Sequence, residues 1–491
     1  MKKYFWLIFG LFFVSRFFFL ANYPYFYDSP EYLRESLSRN FFTSLSFSHE
    51  VIHPAWLFLT QIFQRITSWP TSWELSLISA LFGLISVMAF YLLIKRNFNQ
   101  KVALFSLVPL IFFPHLWLIQ TNVLHESLDF GLFLLSLLFF DFFLTKKKFS
   151  WFLLSALFLS LSIFDFVGIL LWSPVFVGLA ILKSKKINWL NIFWSLAIVV
   201  ISFLLAIGGL YKVLWLSQMI NPMLRLKTLL FSYGGGGILS GWGFLNILRM
   251  LRNDILILFY GYSLLVILVL IMIGTDLIKK KNCPASPIQG GPVLIFFLSF
   301  FLPFLITGKF WYGGLFGRYS ILVAYPLALL LGIMPWRRIY GVLIFILFLT
   351  FLPTFVVYQQ KPISQVQAGL IEEIKLKDED LLILSDYQRP QLSYENAFYC
   401  EATSFAYLGG DQEQQKIIEK KIEEKLKANG KVFISQQAVN FPYWQYDGQQ
   451  IHIISKGNKN KAQLKEFLED KKLEVVVENK NYPLLTIYQM E

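Results

Sequence analysis

Long apolar runs separated by short basic clusters set the outline of this chain. The runs are about 17–22 residues long, the length a helix needs to cross ~30 Å of hydrocarbon. The pattern predicts spans near residues 4–21, 75–94, 102–119, 124–144, 150–168, 168–182, 190–211, 254–274, 291–307, 318–335 and 339–357. Between the fifth and sixth, Asp165-Phe166-Val167-Gly168 must supply a turn. The first run ends in bulky Asn22-Tyr23-Pro24 with no small-residue cleavage site, so it reads as a retained span. The expected fold is an α-helical polytopic membrane protein of about 11 transmembrane helices with a small C-terminal extracytoplasmic α/β domain.

Alternate ends of these spans carry Lys2-Lys3, Lys95-Arg96 with Lys101, Lys146-Lys147-Lys148, Lys183 with Lys185-Lys186, Lys279-Lys280-Lys281 and Arg337-Arg338. The positive-inside tendency puts all six clusters in the cytoplasm. An odd number of spans then sends the C-terminal end outside, as expected of a multi-pass protein of the plasma (inner) membrane. Two long external loops follow, 22–73 and 212–253. The membrane domain is expected over residues 1–357 and the soluble one over 362–491.

Beyond Lys361-Pro362 the apolar fraction drops. Leu381–Leu384, Lys431–Ile434, Ile451–Ile454 and Leu473–Val477 read as strands. Residues 412–428 and 459–472 read as helices, the first stopped by Asn429-Gly430. No glycine-rich nucleotide loop follows any of these strands. The tail therefore either positions an acceptor or packs as a cap.

Composition sharpens this outline. Hydrophobic residues make up 56% of the 491 and aromatics 18%, with 52 Phe, beyond a soluble globular domain. The net charge of +13 divides into +16 for residues 1–360 (27 basic, 11 acidic) and −3 for 361–491 (17 basic, 20 acidic). The basic excess is thus a topology signal, and no nucleic-acid partner need be invoked. Cys283 and Cys400 fall on opposite sides of the expected membrane and in no metal-binding spacing.

The first external loop carries the clearest chemistry. Tyr27-Asp28-Ser29-Pro30-Glu31-Tyr32 has the form of a helix start, with Asp28 capping, Pro30 tolerated in the first turn and Glu31 reaching back. Asp28, Glu31 and Glu35 would share a face. A cap alone accounts for the first two; so does a carboxylate pair set at the membrane edge. Residues 52–66 follow with an apolar stripe of Ile52, Ala55, Trp56, Leu59, Ile62, Phe63 and Ile66, the pattern of a helix along the interface. His53 caps this helix or orients acceptor or phosphate oxygens. His49, Glu50 and His53 invite a metal, but Pro54 breaks the helical spacing and no third ligand is evident. No cofactor is assigned, and a divalent metal stays open as the lesser reading.

Further along, Glu126 opens a span at its outer end, Asp129 stands one turn from His125 as a structural pair, and Asp165 serves the external turn. Lys309 and Arg318 flank the outer end of a late span, where snorkelling to the interface is the other reading. Gly234–Gly237 follows no strand and reads as a hinge.

Three islands resemble a known family: Asp28-Ser29-Pro30-Glu31-Tyr32, His53-Pro54-Ala55-Trp56, and Gly317-Arg318-Tyr319-Ser320 with Tyr325-Pro326. They are similar to the GT-C superfamily of integral-membrane glycosyltransferases, in the bacterial branch related to protein O-mannosyltransferases and aminoarabinose transferases. The likeness spans residues 1–335 in layout and is sharp at these islands. The Asp-Ser-Pro-Glu form departs from the adjacent Asp-Glu of the O-mannosyltransferases.

The resemblance implies a sugar donor on a polyprenyl phosphate and a hydroxyl acceptor on a glycan, lipid or protein, in contact with membrane lipid. It implies Asp28 as general base with Glu31 beside it, and an inverting single displacement. Arg34, His53, Glu126, Lys309, Arg318 and Tyr319 are the expected substrate-binding residues. The alternative is a transporter or flippase of lipid-linked glycans, although no repeat of the kind transporters carry is seen.

Overall fold

The computed structural model describes residues 2–21, 29–37, 41–46, 53–67, 71–184, 187–217, 222–228, 247–248, 251–252, 255, 290–307, 318–333, 337–357, 363–384, 397–399, 412–436, 443–446, 451–455, 471–478 and 486–490. The span expected at 254–274, most of the loop 212–253 with Gly234–Gly237, and the cysteines lie outside these residues, as do His49 and Glu50. The expected helix 459–472 falls almost wholly outside them. The chain divides into a membrane unit, Met1–Asn22 with Glu31–Val356, and a second unit, Tyr23–Pro30 with Val357–Glu491.

In the membrane unit the helices run α1 (Lys2–Phe17), α2 (Ser29–Leu37), α3 (Phe41–Ser46), α4 (Pro54–Ile66), α5 (Thr71–Asn97), α6 (Gln100–Phe112), α7 (Pro114–Thr121) and α8 (Glu126–Lys146). They continue with α9 (Phe149–Asp165), α10 (Pro174–Ser184), α11 (Trp189–Leu216), α12 (Pro222–Thr228), α13 (Gly290–Thr307), α14 (Ala324–Ile333) and α15 (Arg337–Val357). Among the described residues four stretches are long and apolar enough to cross a membrane, five if the bent pair α6–α7 is one span. Shorter apolar helices account for several of the other expected spans.

The expected span 102–119 is not straight. It bends by 71° between α6 and α7, where Pro114 opens the second helix. Proline has no N–H for the Leu110 carbonyl one turn back, and Arg16 of α1 fills the gap. Its guanidinium donates to Leu110 O at 2.8 Å, Ile111 O at 3.0 Å and Gln120 Oε1 at 3.1 Å. Arg16 is fully buried and lies over the Phe12 ring.

α8 and α9 form a hairpin closed by Lys147, whose φ of 54° ends α8 in the left-handed region. Their contact runs through small hydroxyl residues, which let membrane helices approach closely. Ser136 Oγ donates to Ser155 O and Ser155 Oγ to Ser136 O, each at 2.7 Å. Nearer the other end, Ser162 Oγ donates to Asp129 O at 2.8 Å. This register sets the start of α8 beside the end of α9.

α11 buries Asn191, Ser195, Ile198, Ser202 and Ala206 while exposing Phe193, Leu196, Val200 and Leu204. Small and polar inside with bulky apolar outside is the arrangement of a lipid-facing helix. At the lysine-bearing end of α8, Asp141 receives Arg96 Nε at 2.5 Å, Lys183 Nζ at 3.0 Å and Asn97 Nδ2 at 3.0 Å.

Among the described residues the second unit holds α16 (Ile363–Ile374), α17 (Gln412–Lys427) and seven strands. They are β1 (Leu381–Leu384), β2 (Ala397–Tyr399), β3 (Val432–Ser435), β4 (Tyr443–Tyr446), β5 (Ile451–Ser455), β6 (Leu473–Val477) and β7 (Ile487–Met490). Five make a mixed sheet in the order β2-β1-β3-β7-β6, with β1 parallel to β2 and β3, and β7 antiparallel to β3 and β6. β4 and β5 pair separately. Leu370, Ile371, Leu382, Phe433 and Ile487 form the core. Asn429, with φ of 60°, and Gly430 end α17 as the sequence leads one to expect.

Candidate functional site

Three polar ends meet inside the membrane unit. α8 begins at Glu126 with His125 just ahead of it, and Asp129 follows His125 by one turn. α9 runs antiparallel to α8 and ends at Asp165, so Asp165 arrives at the same end. α4 packs against α9 and begins at Pro54, which brings His53 to the junction. Lys146 and Lys147 stand at the opposite end of α8, so the junction lies at the end of the bundle remote from that basic cluster.

His125 Nδ1 lies 2.7 Å from Asp129 Oδ2 and 4.0 Å from Asp165 Oδ2, and His125 Nε2 lies 3.5 Å from Glu126 Oε1. His53 Nδ1 lies 3.1 Å from the Asp165 carbonyl oxygen and 3.9 Å from Asp165 Oδ2. The two imidazoles stack with centroids 3.4 Å apart. His125, Glu126, Asp129 and Asp165 are at most 1% exposed, and His53 is 6% exposed. The Asp165 carbonyl oxygen only accepts, so His53 Nδ1 carries the proton of that contact, while His125 Nδ1 and Asp129 Oδ2 share one proton between them.

Asp165 Oδ1 accepts from Trp56 N at 2.8 Å. The start of α4 is thus capped from α9, and the imidazole of its own N-cap residue, His53, makes no capping bond. Asp129 Oδ1 and Asp165 Oδ2 have no hydrogen-bond donor among the described residues. An aromatic wall surrounds the pair of imidazoles. Tyr32 of α2 meets both edge-on with centroids at 5.7 Å, and Phe166 flanks them at 6.3 and 5.8 Å.

The structure therefore joins two of the expected residues, His53 and Glu126, through His125. Glu31 and Arg34 belong to α2, which carries Tyr32 to the cluster. Arg318 and Tyr319 open a 3-10 turn, Arg318–Val323, that packs against α7 and α8. Asp28 and Lys309 lie outside the described residues. The His125–Asp129 pair is present as expected, but it is part of a larger group. Asp165, expected only to make a turn, is central to it. The signal was in the sequence: an acidic residue closing an apolar run, level with another opening the previous one.

Chemically the junction combines two imidazoles and three carboxyl groups away from water. His53, His125, Asp129 and Asp165 each offer one ligand atom, all within 4.8 Å of one another. Such a group can hold and pass protons, orient a hydroxyl or phosphate oxygen, or hold a cation.

Residues 52–211 match the family described as dolichyl-phosphate-mannose-protein mannosyltransferase. No curated protein matches the chain. Among solved structures, an oligosaccharyltransferase from Archaeoglobus fulgidus tethered to an acceptor peptide is 12% identical, with a TM-score of 0.45 over 89% of this chain and 69% of that one. ArnT from Cupriavidus metallidurans in the apo state is 13% identical, with a TM-score of 0.46 over 100% of this chain and 97% of that one. The same ArnT bound to undecaprenyl phosphate gives 13% identity and a TM-score of 0.41 over the same shares. The family match takes in His53, His125, Glu126, Asp129 and Asp165, and through it the likeness to the GT-C membrane glycosyltransferases holds.

Proposed function

We propose that this protein transfers a sugar from a polyprenyl-phosphate donor to a hydroxyl acceptor at the external membrane face. One observation carries the reading: the segment matching the mannosyltransferase family is the segment that builds the buried carboxylate–imidazole junction. The junction lies opposite the lysine cluster of α8, which positive-inside bias assigns to the cytoplasm.

In this mechanism Asp28, four residues ahead of Tyr32 in the sequence, takes the proton of the acceptor hydroxyl, with Glu31 as the second catalytic carboxylate. Tyr32 packs on His53 and His125, which ties α2 to the junction. A position at a helix start favours the ionised carboxylate. The acceptor oxygen then attacks the anomeric carbon, and the bond to the phosphate oxygen breaks with inversion. The departing phosphate needs positive charge rather than a strong acid. Arg318, Lys309 and Arg34 supply it, while Tyr319, His53 and Glu126 line the donor site.

The test is transfer of labelled sugar from a polyprenyl-phosphate donor by the purified chain in lipid. Asp28→Asn should lower turnover by about 10²–10⁴-fold, the usual contribution of a general base, while donor binding stays close to wild type. Wild-type turnover in that variant would remove Asp28 from the mechanism. Label that moves between leaflets without reaching an acceptor would replace the transferase with a flippase.

A further inference from the structure

We propose that His53, His125, Asp129 and Asp165 form a binding site for one divalent cation of the zinc type. The inference concerns metal binding itself and does not depend on the transferase reading.

The donor set is the first argument. Two imidazoles and two carboxylates suit zinc and its first-row neighbours, whereas calcium and magnesium take oxygen ligands. The spacing is the second. Ligands at ~2.0–2.2 Å from a tetrahedral ion stand about 3.3–3.6 Å apart. Here His53 Nδ1 and His125 Nδ1 lie 3.9 and 4.0 Å from Asp165 Oδ2, and His125 Nδ1 lies 2.7 Å from Asp129 Oδ2. Shifts of well under 1 Å turn one set of distances into the other.

A third argument is the unsatisfied oxygens. Asp129 Oδ1 and Asp165 Oδ2 are buried with no donor among the described residues. Each such atom is costly in a dry interior unless a proton or a cation sits on it. The remaining argument lies one layer out. Metal-bound histidines usually give their other ring N–H to a carboxylate or carbonyl. Glu126 Oε1, 3.5 Å from His125 Nε2, stands where that partner belongs. Asp165 Oδ1 is meanwhile fixed by Trp56 N, which orients its second oxygen toward the imidazoles.

The binding step balances simply. The cation takes the Nδ1 lone pair of each imidazole, whose proton shifts to Nε2 of the same ring, and any proton held on the carboxyl groups leaves to buffer. No bond to carbon forms or breaks and no electron moves.

The experiment uses the untagged full chain, purified in detergent, stripped with a chelator and titrated with Zn²⁺, Co²⁺ or Mn²⁺. Metal per chain is read by mass spectrometry, and proton release by calorimetry in buffers of different ionisation heat. The expected result is one ion per chain, visible d–d absorption with Co²⁺, and a raised melting temperature. His125→Gln and Asp165→Asn should weaken binding by at least 10-fold, and Glu126→Gln by about 10–100-fold as an outer partner. Asp165→Asn keeps an acceptor for Trp56 N, so it preserves the fold if the His125 variant does not. A stripped chain that takes up less than one ion, or equal uptake by wild type and both ligand variants, overturns the proposal and leaves the carboxyls bridged by protons. Uptake without sugar transfer would sink the proposed function but not this site; transfer by a chain that takes up no metal would do the reverse.

Discussion

The carboxylate of Asp165 accepts the N–H of Trp56 at 2.8 Å, so the last residue of α9 caps α4 through a residue 109 positions earlier in the chain. Helix starts leave several N–H groups without partners, and the residue at the N-cap normally supplies the acceptor. His53 holds that position here, with its ring turned to His125 instead. One carboxylate thereby does two things: Oδ1 completes α4 and Oδ2 faces the imidazoles.

This division of labour predicts different outcomes for two substitutions. Asp165→Ala removes the cap and leaves a buried N–H, at a cost of about 1–3 kcal/mol. Asp165→Asn retains an acceptor and should melt close to wild type in the absence of added metal. Thermal unfolding in detergent reads the contrast. Equal melting of the alanine variant and wild type would mean that the contact contributes nothing to the fold.

Arg16 yields the second prediction. A cation with no exposed surface in an apolar helix is expensive unless its donors are all used. Here the guanidinium completes carbonyls released by the α6–α7 bend. Arg16→Met should lower the melting temperature and the yield of folded protein, each lost charge-assisted bond costing ~1.5–3 kcal/mol. Arg16→Lys offers a point charge without the planar fork, so it should recover only part of the loss. A methionine variant as stable as wild type would show that the bend stands without Arg16.

The contrast between Arg16 and Asp165 explains what was legible in the sequence. Most spans announce themselves because burial in lipid demands uninterrupted apolar runs, and α5, α8 and α11 fall where those runs lie. The bend at Pro114 does not, because apolar residues continue on both sides and only the proline marks it. Asp165 looks like a turn residue, since a chain reversal needs polar groups there. Its inward direction is set by the α8–α9 register and by the docking of α4, both of which are tertiary. His53 and Glu126 were singled out by their places at the start of a loop helix and of a span; that His125 joins them required the packing. In the tail, β1, β3, β5 and β6 carried a run of apolar β-formers, whereas β2, β4 and β7 mix polar or small residues into short segments and gain their form from neighbours.

At the other end of α8, Asp141 provides a third prediction. Its side chain is fully buried while Arg96 and Lys183 are 24% and 20% exposed. Breaking a buried pair leaves charges without compensation, which costs about 3 kcal/mol at the low end of the measured range. Asp141→Ala should show that loss in chemical denaturation. Arg96→Met should cost less in the Asp141→Ala background than in wild type, because their interaction is already gone. Additive losses would mean that Arg96 and Asp141 act independently.

Two glycines in neighbouring helices give opposite expectations for the same substitution. A Cβ on Gly332 of α14 would lie 2.1 Å from Ser106 Oγ, and 2.9 Å from both Ser106 N and Val102 O. The last two are backbone atoms of α6, so Ser106→Ala cannot make room. Gly332→Ala should therefore destabilise by about 1–3 kcal/mol, with or without the Ser106 change. Gly341 of α15 has nothing within 4 Å of the same position. There alanine only restricts the unfolded chain and favours the helix, so Gly341→Ala should be neutral or stabilise by up to ~1 kcal/mol. Melting temperatures of the three variants check both at once. Rescue of Gly332→Ala by Ser106→Ala would place the conflict at the hydroxyl and refute a backbone-to-backbone limit on the approach of α6 and α14.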